Sequence, residues 1–143
     1  MDATLGRIKV RRERLEAAAI DLESAVTRAG DPETWIAGVQ AAATEVGAAL
    51  QAHVDEVETP GGLFADITER TPRLIHAIDV LRREHGTMAE QIERLDAALA
   101  DRRSSVDDIR DCALALLAQI SRHRHRGADL LWDSYDFDIG SGD

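Results

Sequence analysis

Residues 74–99 read LIHAIDVLRREHGTMAEQIERLDAAL. Leu74, Ile78, Leu81, His85, Met88, Ile92, Leu95 and Leu99 recur at steps of three and four, so they share one face of a helix. An imidazole stands at the centre of this otherwise apolar stripe. The pattern repeats on both sides. Before it, Trp35, Val39, Ala42, Val46, Leu50, His53 and Val57 form a second stripe; after it, Ile109, Leu116, Ile120, His123, Gly127 and Leu130 form a third, with His123 nearer its edge.

Start and stop signals divide the chain. A first helix is expected over about 3–29, ended by Gly30. Asp31-Pro32 then supplies an N-cap and a proline at the first helical position, opening a second helix over 32–58. Pro60-Gly61-Gly62 breaks it, and a short continuation follows over 63–69. Thr71-Pro72 restarts the chain for a third long helix over 72–100. Ser105 and Asp108, spaced as Ser-x-x-Asp, open a fourth over 105–132, with a tail irregular at its end. Short connections between four long helices predict one all-α domain over 1–143, an up-down-up-down antiparallel four-helix bundle.

Composition agrees. Apolar residues make up 44% of the chain, yet only two Phe, two Trp and one Tyr occur, so the core must be built from Ala, Leu, Val and Ile. The formal charge is 17 − 27 = −10, which disfavours a nucleic-acid partner. The basic run Arg7, Lys9, Arg11, Arg12, Arg14 is interrupted by Glu13 and Glu16 and reads as a solvated face. No apolar run reaches the roughly 18 residues of a membrane span, and the N-terminus has no apolar core of a signal peptide. The single Cys112 sits on an Ala- and Leu-rich helix and reads as a buried thiol of a cytoplasmic protein. Nucleotide-binding glycine loops, cysteine pairs and nucleophile elbows are missing.

A histidine on an apolar face is commonly a core residue with its nitrogens satisfied; three on separate helices suggest a metal. From the loop near 71, His53 lies about 17 residues back and His85 about 14 forward. From the loop near 101–104, His85 lies about 18 back and His123 about 20 forward. At about 1.5 Å per residue, antiparallel helices bring all three into one layer. Candidate carboxylates are Glu56 at the edge of the His53 face, Glu58 if the Pro60-Gly61-Gly62 break swings it inward, and Asp129 if the last helix deforms near Gly127. Glu84 is a candidate acceptor for an imidazole N–H, or an ordinary surface residue. His76 and His125 point away from the stripes. Trp35 and Trp132 read as packing residues, and Tyr135 as a residue that packs the tail on the helices.

These residues resemble a family. Leu50-Gln51-Ala52-His53-Val54-Asp55-Glu56-Val57-Glu58 with Leu63-Phe64, then Leu81-Arg82-Arg83-Glu84-His85, then Leu116-Leu117-Ala118-Gln119-Ile120-Ser121-Arg122-His123, are similar in order and spacing to the motifs of hemerythrin-like (HHE cation-binding) domains. The resemblance covers about 35–135. It implies a non-haem di-iron centre, two irons bridged by oxo or hydroxo and bound by five to seven His and carboxylate ligands. Here those are His53, His85 and His123 with Glu56, Glu58 and Asp129. It further implies binding, sensing or reduction of dioxygen, nitric oxide or peroxide in an apolar pocket near Leu81 and Met88, and leaves enzymatic turnover open. Family members also take a histidine from the first helix, whereas 3–29 contains none and presents Arg11, Arg12 and Glu16 at that height. Four residues after His53 and His123 stand Val57 and Gly127, where the family carries carboxylates. An altered di-iron centre, a single-metal site and a lost site are all open. The contrasting reading is a metal-free helical interaction module.

Overall fold

The computed structural model describes residues 2–141. The chain is all-α, with no strand among the described residues: α1 (Asp2–Thr27), α2 (Pro32–Glu58), α3 (Leu63–Arg70), a single 3-10 turn (Pro72–Leu74), α4 (Ile75–Ala100) and α5 (Val106–Ser141). No helix in it is long and apolar enough to cross a membrane.

Each boundary has a local cause. Asp31 caps α2 by accepting from the Thr34 amide at 3.1 Å, with Pro32 in the first turn. Ser105 and Asp108 form a reciprocal capping box at α5: each side chain accepts from the other's amide, at 3.0 and 3.1 Å. Between α2 and α3, Gly61 has φ +84°, a left-handed conformation that favours glycine. A Cβ on Gly62 would lie 2.7 Å from the Glu56 carbonyl oxygen, so the chain can double back there only with glycine.

Three expectations need correction. Pro72–Leu74 is a 3-10 turn, and the α-helix proper begins at Ile75. The last helix does not stop near Trp132 but continues to Ser141; Ser134 is buried, and its hydroxyl bonds back to the Leu131 carbonyl at 3.0 Å. Trp132 is 73% exposed rather than packed, because two residues beyond buried Leu130 is about 200° around a helix. Trp35 does pack, donating its indole N–H to the Val26 carbonyl at 3.2 Å. Cys112 is half-buried.

Every position of the 74–99 stripe is buried except Ile92, which is half-buried. The core falls into two clusters. The larger gathers Leu15, Leu22, Val39, Val46, Leu50, Met88, Leu95, Ile109, Leu116 and Ile120 from all four long helices. Buried Ala18, Ala25, Ala43, Ala49 and Ala113 let those helices approach closely. The smaller cluster joins Ile8, Val57, Leu63, Phe64, Ile67, Ile78, Leu81 and Leu130, so α3 closes one end. His53 stands between Leu50 and Val57, His85 between Leu81 and Met88, and His123 between Ile120 and Leu130: one member of each pair lies in each cluster. The imidazoles are a polar layer between two apolar ones. Ion pairs join the long helices outside: Arg7–Glu56 and Arg14–Glu45 between α1 and α2, Arg82–Glu58 between α2 and α4, and Arg124–Glu16 between α5 and α1.

Candidate metal centre

The three histidines of the stripes meet. His53, His85 and His123 are all buried, and their ring centroids are 5.2, 5.5 and 4.8 Å apart. One nitrogen from each lies within 4.8 Å of the other two. A metal–nitrogen bond of about 2.1 Å in tetrahedral geometry sets nitrogen–nitrogen separations of about 3.4 Å. The Nε2 atoms of His53 and His123 are already 3.4 Å apart. His85 would need to move by roughly 1 Å to complete a shared coordination shell.

His123 is held by a network. Its Nδ1 lies 3.1 Å from Glu84 Oε1. A carboxylate only accepts, so Nδ1 carries the proton and Nε2 presents its lone pair to the cluster. The other Glu84 oxygen accepts from Gln119 Nε2 at 3.1 Å and from Arg126. Gln119 Oε1 in turn accepts from Arg122 at 2.7 Å. Glu84, open in sequence as either an acceptor or a surface residue, is 6% exposed and engaged. It shares α4 with His85, one position away, but bonds to the imidazole of α5.

The other rings lack such partners. His53 Nδ1 and both nitrogens of His85 are buried without a hydrogen bond. Glu58 Oε2 approaches His85 Nδ1 to 3.5 Å without the alignment of a hydrogen bond, and the same carboxylate pairs with Arg82 at 3.2 Å. An unsatisfied buried polar group costs about 1–3 kcal/mol, and three are concentrated here. Desolvation, then repulsion from His123, pushes His53 down to about 4; the same causes, with His53 and Arg82 added, push His85 down to about 3. Burial also lowers His123, partly opposed by Glu84. All three are therefore neutral near pH 7, the state in which imidazole binds a metal.

The proposed carboxylates have different fates. Glu58, at the end of α2, stands beside His85. Glu56 turns to Arg7 at 3.1 Å, and Asp129 is exposed; neither joins the cluster. His76 and His125 are exposed, with His125 Nδ1 donating to the Ser121 carbonyl at 2.8 Å. Tyr135 is half-buried.

Phe64, from the short α3, stacks on His85 with centroids 5.8 Å apart and planes 10° from parallel. Arg82 also lies over the Phe64 ring, 5.6 Å from its centre. The glycine break delivers this wall, which periodicity along the long helices cannot reveal. Next to His53 and His123 is a small cavity of about 30 Å³, lined by Leu15, Val57, Leu63, Phe64, Leu81 and Leu130, among others. That is room for one small molecule. Leu81 borders it as expected, whereas Met88 is packed in the larger core cluster. His85 also borders an open groove of about 520 Å³ between α2 and α4, where Gly47, Gly86 and Ala89 leave space.

Exchanging Glu84 for glutamine is expected to weaken metal binding about 10- to 100-fold while leaving His53 and His85 in place. An amide can present its NH2 to the imidazole and lose the fixed tautomer. A competition assay against a chelator measures the change; equal affinity would show that Glu84 does not orient the ligand.

Comparison with known proteins gives no assignment: no family profile, curated protein or solved structure matches the chain.

Proposed function

We propose that the chain is a hemerythrin-like metalloprotein, an up-down-up-down four-helix bundle with a non-haem iron centre that binds a small ligand such as dioxygen, nitric oxide or peroxide. The observation that carries the reading is the meeting of three buried, neutral imidazoles from three helices, with three ring nitrogens lacking any hydrogen bond. A lone buried histidine finds a partner in a folded core. Here His123 is partnered by Glu84 and by His53, while His53 Nδ1 and both His85 nitrogens are left over, which supports reading the three rings as a donor set.

Support for the bundle arrangement comes from the cross-helix pairs. Arg7 meets Glu56 while Arg14 meets Glu45, so α1 and α2 run in opposite directions. Glu58 with Arg82, and Gly47 near Ile92, give the same sense for α2 and α4. Support for a small ligand comes from the 30 Å³ cavity beside two of the imidazoles.

The three imidazoles suffice for one ion with open positions. Glu58 is the carboxylate best placed to extend the set toward a second, di-iron site. Imidazole also suits zinc, copper and nickel, so the metal is decided by measurement. Protein purified from iron-replete cells is expected to contain at least one iron per chain, with near-ultraviolet absorption if two are bridged. Stoichiometric zinc would replace the iron reading. No bound metal, and none taken up by the apoprotein, would return the chain to the metal-free interaction module.

A further inference from the structure

Arg12 and Arg124 border two spaces at once. One is the cavity that holds the faces of His53 and His123; the other is a surface depression of about 210 Å³ whose remaining lining is Lys9, Glu13 and Glu16. Both arginines therefore line the boundary between the outer depression and the space beside the imidazoles. Their neighbours are unequally matched. Lys9 is within 3.9 Å of Glu13, and Arg124 pairs with Glu16 at 2.9 Å. Arg12 makes no hydrogen bond and no ion pair within 4 Å among the described residues. It is half-buried; burial and Arg124 press against its charge, and Glu16, already paired with Arg124, offsets them only in part. In a chain of net charge −10, a cation without an ion pair stands at the wall of the small cavity beside His53 and His123.

Charge at the inner end has the same sign. Three neutral imidazoles do not balance a divalent cation. Glu84 is already engaged by Arg126, and Glu58 by Arg82. A bound metal would leave the cavity positive at both ends, a guanidinium outside and a metal ion inside.

We propose that the cavity is an anion site, in which the Arg12 guanidinium, with Arg124 at the mouth, selects a small monovalent anion of two or three non-hydrogen atoms and holds it facing His53 and His123. For the cation at its inner end this rests on the metal reading; Arg12 and the cavity are present without it. The guanidinium fork matches a carboxylate-like anion with two parallel hydrogen bonds. The volume of about 30 Å³ suits an anion of this size. Neutral molecules of the same shape gain the apolar contacts but not the charge.

Formate is the probe, and formamide its neutral isostere. Relaxation of 13C-labelled ligand is titrated with the metal-free and the iron-loaded protein at low salt. Formate is expected to bind the metal-free protein at least tenfold more tightly than formamide, to weaken as salt rises, and to gain at least a further tenfold when iron is bound. Arg12→Gln should remove at least tenfold of the formate affinity in both forms, with helicity and metal content unchanged. Arg12→Lys keeps charge without the fork and should lose at least threefold, which carries the test if the glutamine variant fails to fold. Formate binding no tighter than formamide, or insensitive to both substitutions, overturns the proposal. Formate bound only by the loaded protein and independently of Arg12 overturns it too, while upholding the metal reading. Arg12-dependent formate binding by a protein that takes up no metal upholds the anion site and ends the metal reading.

Discussion

Replacing His85 with leucine is expected to abolish iron binding and, at the same time, to make the metal-free protein more stable. The two effects have one cause. His85 is 4% exposed, and neither ring nitrogen has a hydrogen bond. Leucine at this position would make the 74–99 stripe continuously apolar between Leu81 and Met88, beside Phe64. Removing two orphaned nitrogens recovers on the order of 2 kcal/mol, several degrees in melting temperature for a chain of this size. Metal present at about a thousand times its dissociation constant stabilises the native state by about 4 kcal/mol. The melting order should therefore be loaded wild type, then His85→Leu, then metal-free wild type. Iron in the variant should fall below roughly a tenth of the wild-type content. A variant with full iron and an unchanged spectrum would remove His85 from the ligand set. A metal-free variant less stable than the metal-free wild type would make His85 a packing residue.

Acid should destabilise the metal-free protein well above the usual carboxylate range. In the unfolded chain these imidazoles titrate near 6.5, whereas in the fold His53 and His85 are held down to about 4 and about 3. Between these limits the unfolded chain binds protons that the native state refuses, so stability falls as pH drops. The loss begins near pH 6.5 and runs to about 4 for His53 and about 3 for His85, then levels off. At about pH 4.5 each imidazole accounts for roughly 2–3 kcal/mol, at about 1.36 kcal/mol per pH unit. Their coupling prevents simple addition. Against a typical total of about 5–15 kcal/mol this is a large fraction. Urea titrations at about pH 7 and pH 4.5 measure it, and His85→Leu should show a visibly shallower dependence. Stability flat from about pH 7 to 5 would mean that the imidazoles are not buried neutral. Bound metal should be released over the same acid range, because protons and metal compete for the same lone pairs.

The helices and their registers were legible because the chain repeats one device: apolar positions at helical steps, punctuated by Asp-Pro, Pro-Gly-Gly and Ser-x-x-Asp. Those caps are local, made within three or four residues, and so can be read from a line of sequence. The shared layer of His53, His85 and His123 could be reached by counting from the loops, since straight helices turn residue number into height. Charge partners could not be reached this way. Glu84, Gln119, Arg126 and His123 meet across two helices. Which long side chain reaches which depends on rotamers and on competition, as when Glu56 goes to Arg7 while Glu58 approaches His85. Trp132 misled because chemical character was weighed without its angle from Leu130. Arg12 was legible only as one of three residues, with Arg11 and Glu16, at a height where the resemblance calls for histidine; its place at the cavity wall required the neighbouring helix.

The four long helices are not equivalent walls of the cavity. α2, α4 and α5 each contribute an imidazole, and a shared ion would tie positions 53, 85 and 123 together as a cross-link does. α1 contributes Ile8, Arg12 and Leu15 to the same space and no ligand. It is kept in place by apolar contact and by surface ion pairs, which contribute little each. Swinging or fraying α1 would therefore bare the site without breaking a coordination bond. The first helix is thus the one long wall of the cavity that a shared ion would leave untied.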